Sequence, residues 1–536
     1  MLTLTHPYRW HRPAGPGGHE NRWVALGAMA LSSGVTSIPT SAVVLALPKI
    51  HAEFNASLGE LQWTLVGFTL AYSALLVVAG RLADIFGRKR FFLGGTILYA
   101  AAAVGAAVAP SAILLIIAVV AMGVGAAILT PASLSIITDA FEPAQRGTAI
   151  GLWASASALV SGVGPALGGV LADWDWRTVF WINVPFAVVF FAITMLAARE
   201  SRDPNAERKI DIAGLATLAA GLTALSLVLN QGQSWGFLST KSIALFVIAG
   251  VLLITFGVIE PRTRNALVDF GFFRKRNYTG GNAALFAANF ILAAVLFFLP
   301  LYMEELLHYS PLKAGVLLLP LSATLVIALP LGGPISERVG PRIPIVAGLI
   351  LSAIGGYLFT RVDANSGYNE LWPGMLVLGA GVGLCLTPLN TAAMNAIRRA
   401  EHGAAAGILV TMSGLGATFG IAISGALFQT VKDDKSDQLL GKVGVHLSEG
   451  TERTLEGLLA GAKDAVSELK KFTLGQRHEI THAIRQGFTD GLGTVMWLSV
   501  GVTLAGVVLV ALIMQRTAPI PDEEEVEEIE AEEARL

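Results

Sequence analysis

Cysteine and charged residues are what this sequence has least of, and each scarcity restricts the kind of protein it can be. Among 536 residues there is one cysteine, Cys385, so no intrachain disulfide can form and no metal-ligating companion accompanies it. Cys385 is therefore expected to be a packing residue. Charged residues make up 14% of the chain against 54% hydrophobic residues, which excludes the composition of an ordinary soluble domain.

Long windows without any Asp, Glu, Lys, Arg or His predict membrane-spanning helices. A helix needs roughly 20 apolar residues to cross a hydrocarbon core of about 30 Å. Twelve windows fit one crossing each: 23–48, 61–80, 147–172, 178–198, 212–240, 242–259, 277–303, 314–336, 343–360, 371–397, 404–431 and 491–515. The window from Phe91 to Thr138 has double length, and Pro110 with Ser111 predicts a reversal near its middle. The total is fourteen spans.

Basic residues predict the orientation of these spans. Arg and Lys collect in alternate connections, as in the group that follows the second span, Arg81, Arg88, Lys89 and Arg90. The opposite connections are poor in both, except the one before the last span. By the positive-inside rule both termini are cytoplasmic, which an even number of crossings requires. No cleavable signal sequence is apparent. We therefore expect a multi-pass protein of the inner (plasma) membrane, with the lipid bilayer as a partner.

A duplicated element predicts two related halves. Aligning Gly80 after the second span with Gly333 after the tenth places Asp84 on Glu337 and Gly87 on Gly340. Repeats of this kind mark transporters whose halves rock against each other. The expected division is an N-terminal tail over 1–22, a six-helix bundle over 23–199, an inserted helix pair over 211–259, a second six-helix bundle over 276–516 and an acidic tail over 517–536.

The second bundle contains an extracytoplasmic loop over 432–490. Apolar residues recur in it at helical spacing: Leu455, Leu458, Leu459, Ala462, Ala465 and Leu469. This spacing predicts an amphipathic helix or hairpin that lies over the mouth of the protein, either as a structural lid or as an element that handles a ligand.

Several motifs resemble the major facilitator superfamily. The stretch from Gly80 to Arg90 resembles the signature loop between helices two and three of that family, and 164–169, Gly-Pro-Ala-Leu-Gly-Gly, is similar to the antiporter signature of its drug-exporting branches. The stretches 174–185, 299–302 and 310–315 resemble its fourteen-helix drug:proton antiporter branch. The resemblance implies an all-α membrane fold of two six-helix bundles with an inserted pair. It also implies alternating-access efflux of hydrophobic or amphiphilic small molecules, either drug-like compounds or lipids, with protons as a coupling partner.

The matching residues have a chemistry of their own. A carboxylate beside a guanidinium can cap a helix or form an ion pair that breaks and reforms, which suits a conformational latch. The candidate latch residues are Gly80, Asp84, Gly87, Arg88, Glu337 and Arg338. The alternative is a basic loop that only sets topology. In the fifth span, closely spaced glycines beside a proline predict a bend that lines a cavity, formed by Gly164, Pro165, Gly168 and Gly169.

The sequence departs from the family where proton coupling is expected. Pro39 stands where the first helix should carry an acid, and Val119 stands where the fourth should carry an arginine. None of the spans contains a charged residue, so a proton carrier must lie at a span edge. Glu304 and Asp490 are the candidate proton sites, with Asp84 and Asp139 as further acids at such edges.

The remaining polar groups within the spans are uncharged. The candidate substrate cavity consists of Tyr72, Trp153, Asn282, Phe286, Asn289, Phe290 and Asn390. Such a lining favours apolar or amphiphilic solutes, although aromatic residues in membrane helices often face lipid instead.

Two rival functions belong to other classes. One is a membrane receptor or scaffold that keeps the transporter fold and moves nothing. The other is an enzyme, which we do not expect, because the sequence offers no nucleophile and base pair, phosphate loop or metal cluster. No cofactor, metal or nucleic acid is expected, and the protein is expected to be a monomer.

Overall fold

Helices form all the regular structure that can be described. The computed structural model describes residues 20–515 except 37, 55, 57, 142, 203–210, 237–238, 264–267, 399–400, 443–457 and 459–466. The α-helices within these residues are α1 Glu20–Val35, α2 Ile38–Phe54, α3 Leu58–Phe86, α4 Arg88–Ala107, α5 Ala112–Ala140, α6 Pro143–Trp174, α7 Thr178–Trp181, α8 Asn183–Ala197, α9 Ile212–Trp235, α10 Thr240–Ile259, α11 Arg276–Glu305, α12 Pro311–Leu317, α13 Leu319–Val339, α14 Arg342–Phe359, α15 Tyr368–Asn395, α16 His402–Lys442 and α17 Leu474–Ile513. The expected all-α class is confirmed.

The helices follow the charge-free windows. Eleven helical segments in the described residues are long and apolar enough to cross a membrane. The three other predicted crossings fall on the interrupted pair α1 and α2, on α6, and on α9, whose shorter apolar part is Ala213–Leu229. The predicted reversal in the double-length window is confirmed, because α4 ends at Ala107 and α5 begins at Ala112. The Ser111 hydroxyl caps α5 by accepting from the Leu114 backbone N–H at 3.4 Å.

Close helix contacts hold each bundle together. In the first bundle α3 and α4 pack on α5, and the buried Tyr99 hydroxyl donates to Asn183 Oδ1 at 2.9 Å, which joins α4 to α8. In the second bundle α13 and α14 pack on α15, while α11 lies against α16 and α17. Gly416 and Gly420 of α16 lie so close to the α11 backbone that a methyl group on either would overlap a phenylalanine carbonyl. Small residues therefore set the spacing of these helices. Cys385 is fully buried in α15, as expected of a packing residue.

The inserted pair contacts both bundles. Helix α9 packs on α10 and also touches α3 of the first bundle and α16 of the second. The Ser226 hydroxyl on α9 lies 3.3 Å from the Ser73 hydroxyl on α3, and Val228 and Leu229 pack against Ala422 on α16. The pair therefore lies beside the seam between the bundles.

The two ends of the molecule differ. At one end, here called the latch face, α3 and α5 end and α16 begins. At the opposite end, the far face, α16 and α17 extend and pack through Leu440, Ile480 and Ala483. Of the predicted amphipathic stretch, Leu458 and Leu469 pack against this cluster, and Leu455, Leu459, Ala462 and Ala465 lie outside the described residues.

An ion pair at the far face ties α2 to the turn before α7. The Glu53 carboxylate accepts from the Arg177 guanidinium at 2.6 and 2.8 Å and from the Trp176 indole N–H at 2.6 Å. These hydrogen bonds lower the pKa of Glu53 from its ordinary value to about 2. A carboxylate with a lowered pKa in the folded state stabilises the protein above its unfolded pKa and stops doing so as the pH falls through the folded pKa.

We expect Glu53→Gln to lower the thermal midpoint of the purified protein near neutral pH. The difference from the unaltered protein should shrink as the pH falls below about 4.5 towards about 2, because Glu53 is then protonated in both states. Thermal unfolding of both proteins across this range measures it, with the exposed Glu479→Gln as the control. A difference that stays constant with pH would show that the carboxylate charge is not the cause.

Candidate functional site

Asp84 connects the two bundles at the latch face. Its side chain lies at the end of α3 and is fully buried. The carboxylate accepts from the backbone N–H groups of Gly403 and Ala404, both at 2.8 Å, in the first turn of α16. The first N–H groups of a helix have no partner within the helix and carry partial positive charge, so a carboxylate is well suited to them. An acid of the first bundle thus caps a helix of the second.

Arg88 completes the charge pairing of Asp84. Its Nε and Nη2 donate to Asp84 Oδ1 at 2.9 and 2.7 Å, and its Nη1 donates to Asp139 Oδ2 at the end of α5. The Arg88 side chain is buried to 99%, so without these carboxylates its charge would be strongly disfavoured. The Arg88 guanidinium therefore joins the end of α3 to the end of α5, next to the first turn of α16.

Glycine makes the cap possible, because two backbones have to meet. Gly80 lies against Gly403, and a methyl group on either residue would overlap the other's carbonyl oxygen. The second glycine of the motif, Gly87, has a backbone φ of 102°, a region that L side chains rarely adopt, and its duplicate Gly340 has a φ of 82°. Gly80 is thus required by the close contact between two helices, and Gly87 is required by its backbone conformation.

The duplicated element brings a second acid to the start of a helix on the other side of the seam. Glu337, near the end of α13, is exposed and lies beside the first turns of α6, where a methyl group on Gly147 would lie 3.0 Å from Glu337 Oε1. A methyl group on Gly333 would lie 2.5 Å from the Gly147 carbonyl carbon, so these two glycines also meet. The neighbouring Arg338 is exposed in the last turn of α13. Each bundle therefore brings an acid to the first turns of a helix of the other, and Asp84 caps its helix by hydrogen bonds.

Two buried residues of this face were missed by the sequence reasoning. Arg146, near the start of α6, and His402, the first residue of α16, are 1% and 0% exposed. The Arg146 guanidinium donates to Asn395 Oδ1 at the end of α15 at 2.8 Å, and His402 Nδ1 lies 3.5 Å from Asp139 Oδ1. A second repeat could have revealed them, because Arg-Gly-Thr-Ala-Ile-Gly at 146–151 matches His-Gly-Ala-Ala-Ala-Gly at 402–407.

The predicted bend lies within an unbroken helix. Residues 164–169 belong to α6, and Gly168 packs directly against the backbone of Ala42 on α2. The side chain of Pro165 and the surroundings of Gly164 and Gly169 lie outside the described part of the chain. A bend at this position stays a prediction.

The predicted cavity residues lie on four helices, α3, α6, α11 and α15. On α11 and α15 three amides donate to the carbonyl four residues earlier: Asn282 at 2.9 Å, Asn289 at 2.9 Å and Asn390 at 2.8 Å. Their carbonyl oxygens are thereby left to accept hydrogen bonds. The half-buried Phe286 lies between Phe290 and Phe419, with ring centroids 6.2 and 6.0 Å away.

The remaining cavity candidates belong to the first bundle. The Tyr72 hydroxyl donates to Thr130 Oγ1 at 3.3 Å, which joins α3 to α5. Trp153 is buried on α6, and its indole N–H has no hydrogen-bond partner among the described residues.

Of the acids predicted as proton sites, Glu304 and Asp490 lie towards the far face, and Asp84 and Asp139 lie at the latch face. Glu304 is half-buried in the last turn of α11, and Asp490 on α17 pairs with Lys435 at 3.2 Å and accepts from Gln486 at 3.0 Å. Asp84 and Asp139 lie together at the latch face, bridged by Arg88. The structure therefore separates Glu304 and Asp490 from the cluster that joins the bundles.

We expect Gly80→Ala to destabilise the protein by about 1 to 3 kcal/mol, since the added methyl group forces α3 away from α16. The matched control is Gly94→Ala on α4, where a methyl group meets nothing within 4 Å and alanine favours the helix. Thermal unfolding in detergent should show a lower midpoint for Gly80→Ala only. Equal midpoints would contradict the close contact between the two glycines.

Comparisons with known proteins agree with this architecture. The family model described as Major Facilitator Superfamily matches residues 29–421. The multidrug resistance protein Stp of Mycobacterium tuberculosis is 31% identical over 76% of both chains, and the probable actinorhodin transporter of Streptomyces coelicolor is 30% identical over 96% of this chain and 94% of its own. The human organic anion transporter MFSD10 has the same fold, with a TM-score of 0.59 at 13% identity over 92% of this chain and all of its own. Because the family match spans most of the sequence and the fold agrees, this chain belongs to the Major Facilitator Superfamily.

Proposed function

We propose that this protein exports hydrophobic or amphiphilic small molecules across the membrane by alternating access. The observation that carries the proposal is the contact between the bundles at the latch face, where Asp84 caps the first turn of α16 and Glu337 lies beside that of α6. Contacts of this kind join two bodies through hydrogen bonds and ion pairs. They can break and reform as a unit.

The direction of transport is supported by the relatives. Stp is named a multidrug resistance protein, and a protein of Streptomyces glaucescens that is 26% identical over 95% of this chain is named a tetracenomycin C resistance and export protein. We assign the latch face to the cytoplasm, as the basic residues of the sequence predict. The closed latch then corresponds to the state in which the cavity is sealed from the cytoplasm.

The substrate class is inferred from the uncharged lining. Asn282 and Asn289 offer acceptor oxygens on the same helix as Phe286 and Phe290, and Asn390 offers one on α15. Aromatic surface with a few acceptors suits a neutral amphiphile that carries hydroxyl or amide donors. A strongly charged solute would lose its hydration there without gaining a counter-charge.

We expect Asp84→Asn to reduce efflux of a neutral dye such as Nile red by about tenfold or more, because a neutral amide can neither pair with Arg88 nor accept from both N–H groups of α16. Dye efflux from cells measures this, normalised to the amount of protein in the membrane. The exposed Asp437→Asn is the control. Unchanged efflux at equal protein levels would favour a receptor or scaffold over a gated exporter.

We also propose that export is driven by exchange for protons. Collapsing the proton gradient with an uncoupler should then abolish concentrative efflux of the same dye. The control holds the gradient and changes only the membrane potential. Efflux that is indifferent to the uncoupler would exclude proton exchange, while export itself would stand.

A further inference from the structure

His402 is a buried titratable group at the seam between the bundles, and the latch as described above assigns it no role. Both nitrogens of its ring face oxygen atoms: Nε2 lies 3.2 Å from the carbonyl oxygen of Ile397, and Nδ1 lies 3.5 Å from Asp139 Oδ1. The first oxygen belongs to the segment before α16, and the second belongs to α5 of the other bundle. His402 therefore has one ring nitrogen directed to each bundle.

A neutral ring cannot serve both oxygens. Neutral imidazole carries one N–H and one lone pair, whereas the doubly protonated ring carries two N–H donors. If the N–H faces Ile397, the Nδ1 lone pair faces the Asp139 carboxylate. In the described part of the chain neither Nδ1 of His402 nor Oδ1 of Asp139 has a hydrogen-bond partner. A proton on Nδ1 would let the ring donate a hydrogen bond to Asp139 Oδ1, which would give each of these two buried atoms a partner.

The charged groups around the ring act in both directions. The Asp139 carboxylate from α5 favours the proton, whereas burial and the guanidinium groups of Arg88 from α4 and Arg146 from α6 oppose it. Asp84 from α3 pairs with Arg88, so the two carboxylates and the two guanidinium groups of this cluster are equal in number. The case for the proton therefore rests on the two buried atoms that it would satisfy.

The other charged groups near His402 lie on its own segment. Glu401 pairs with the exposed Arg398 at 2.7 Å. This pair carries no net charge and does not change the balance of the buried cluster.

We propose that the His402 ring and the Asp139 carboxylate form a proton-binding site across the seam, which is occupied while the latch is closed and vacated when it opens. The proposal rests on alternating access as the function of this protein. Opening would carry α16 away from α5, so the ring would lose its carboxylate and meet water, and the proton on Nδ1 would pass to that water. Release on the latch face, the predicted cytoplasmic side, is one half of an exchange of substrate for protons.

The pseudo-equivalent residue of the first bundle provides a matched variant. Arg146 near the start of α6 corresponds to His402 at the start of α16 in the repeat, but a guanidinium keeps its charge at every physiological pH. His402→Arg therefore places a permanent cation opposite Asp139 and imitates the occupied site. His402→Gln leaves the position uncharged.

The test is the distance across the latch face as a function of pH. Spin labels on Arg90→Cys and Ile343→Cys, both exposed near the latch face on opposite bundles, report opening in a Cys385→Ala background in nanodiscs. We expect the open fraction to rise about threefold or more between about pH 5.5 and about pH 8, because the proton leaves as the latch opens. His402→Arg should stay closed at both values, and His402→Gln should show no dependence on pH.

The control is His482→Gln, an exposed histidine of α17 near the far face, which should keep the pH response. A response that survives in His402→Arg and His402→Gln, or an open fraction that rises in acid, would overturn the proposal. Since the distance is measured without substrate, the two proposals fail separately. Missing export with an intact pH response defeats the proposed function, and export without a pH response defeats the proton site.

Discussion

A carboxylate of one bundle that caps a helix of the other is the interaction on which this structure depends. Asp84 is fully buried, and a buried charge persists only where hydrogen bonds and counter-charges satisfy it. Two of its three partners are N–H groups of α16, in the opposite bundle. Separating the bundles would strip the carboxylate of these partners unless water replaced them. The seam is thus strong while dry and weak once wetted, which is the property that a reversible gate needs.

The cap depends in turn on glycine and differs between the two sides of the seam. Gly80 with Gly403, and Gly333 with Gly147, let the backbones approach until an acid can reach the first turn opposite. The side with Asp84 has Arg88 and Asp139 in addition. On the other side Pro341 stands at the position of the arginine and Asn395 at that of Asp139. One side therefore holds two carboxylates that an arginine bridges, and the other holds Glu337 beside Gly147 and the hydrogen bond from Arg146 to Asn395.

Sequence alone was sufficient for the spans, the reversal at Pro110 and Ser111, and the duplicated glycine and acid element, since each depends on local composition or spacing. It could not identify the partner of Asp84, because Gly403 lies 319 residues further along the chain and the contact depends on how the bundles dock. Asp139 was recognised as an acid at a span edge, but its pairing with Arg88 depends on the packing of α4 on α5. The repeat that contains Arg146 and His402 was present in the sequence and was overlooked.

The most direct measurement of the central claim is hydrogen exchange at the first turn of α16. The amide hydrogens of Gly403 and Ala404 are bonded to Asp84 in this structure, and in the proposed mechanism they lose this partner when the latch opens. In protein reconstituted in nanodiscs, the account predicts that a transported compound accelerates exchange at these two amides and leaves the core of α15 unchanged. Protection at Gly403 and Ala404 that stays as high as that of α15, with and without such a compound, would contradict it.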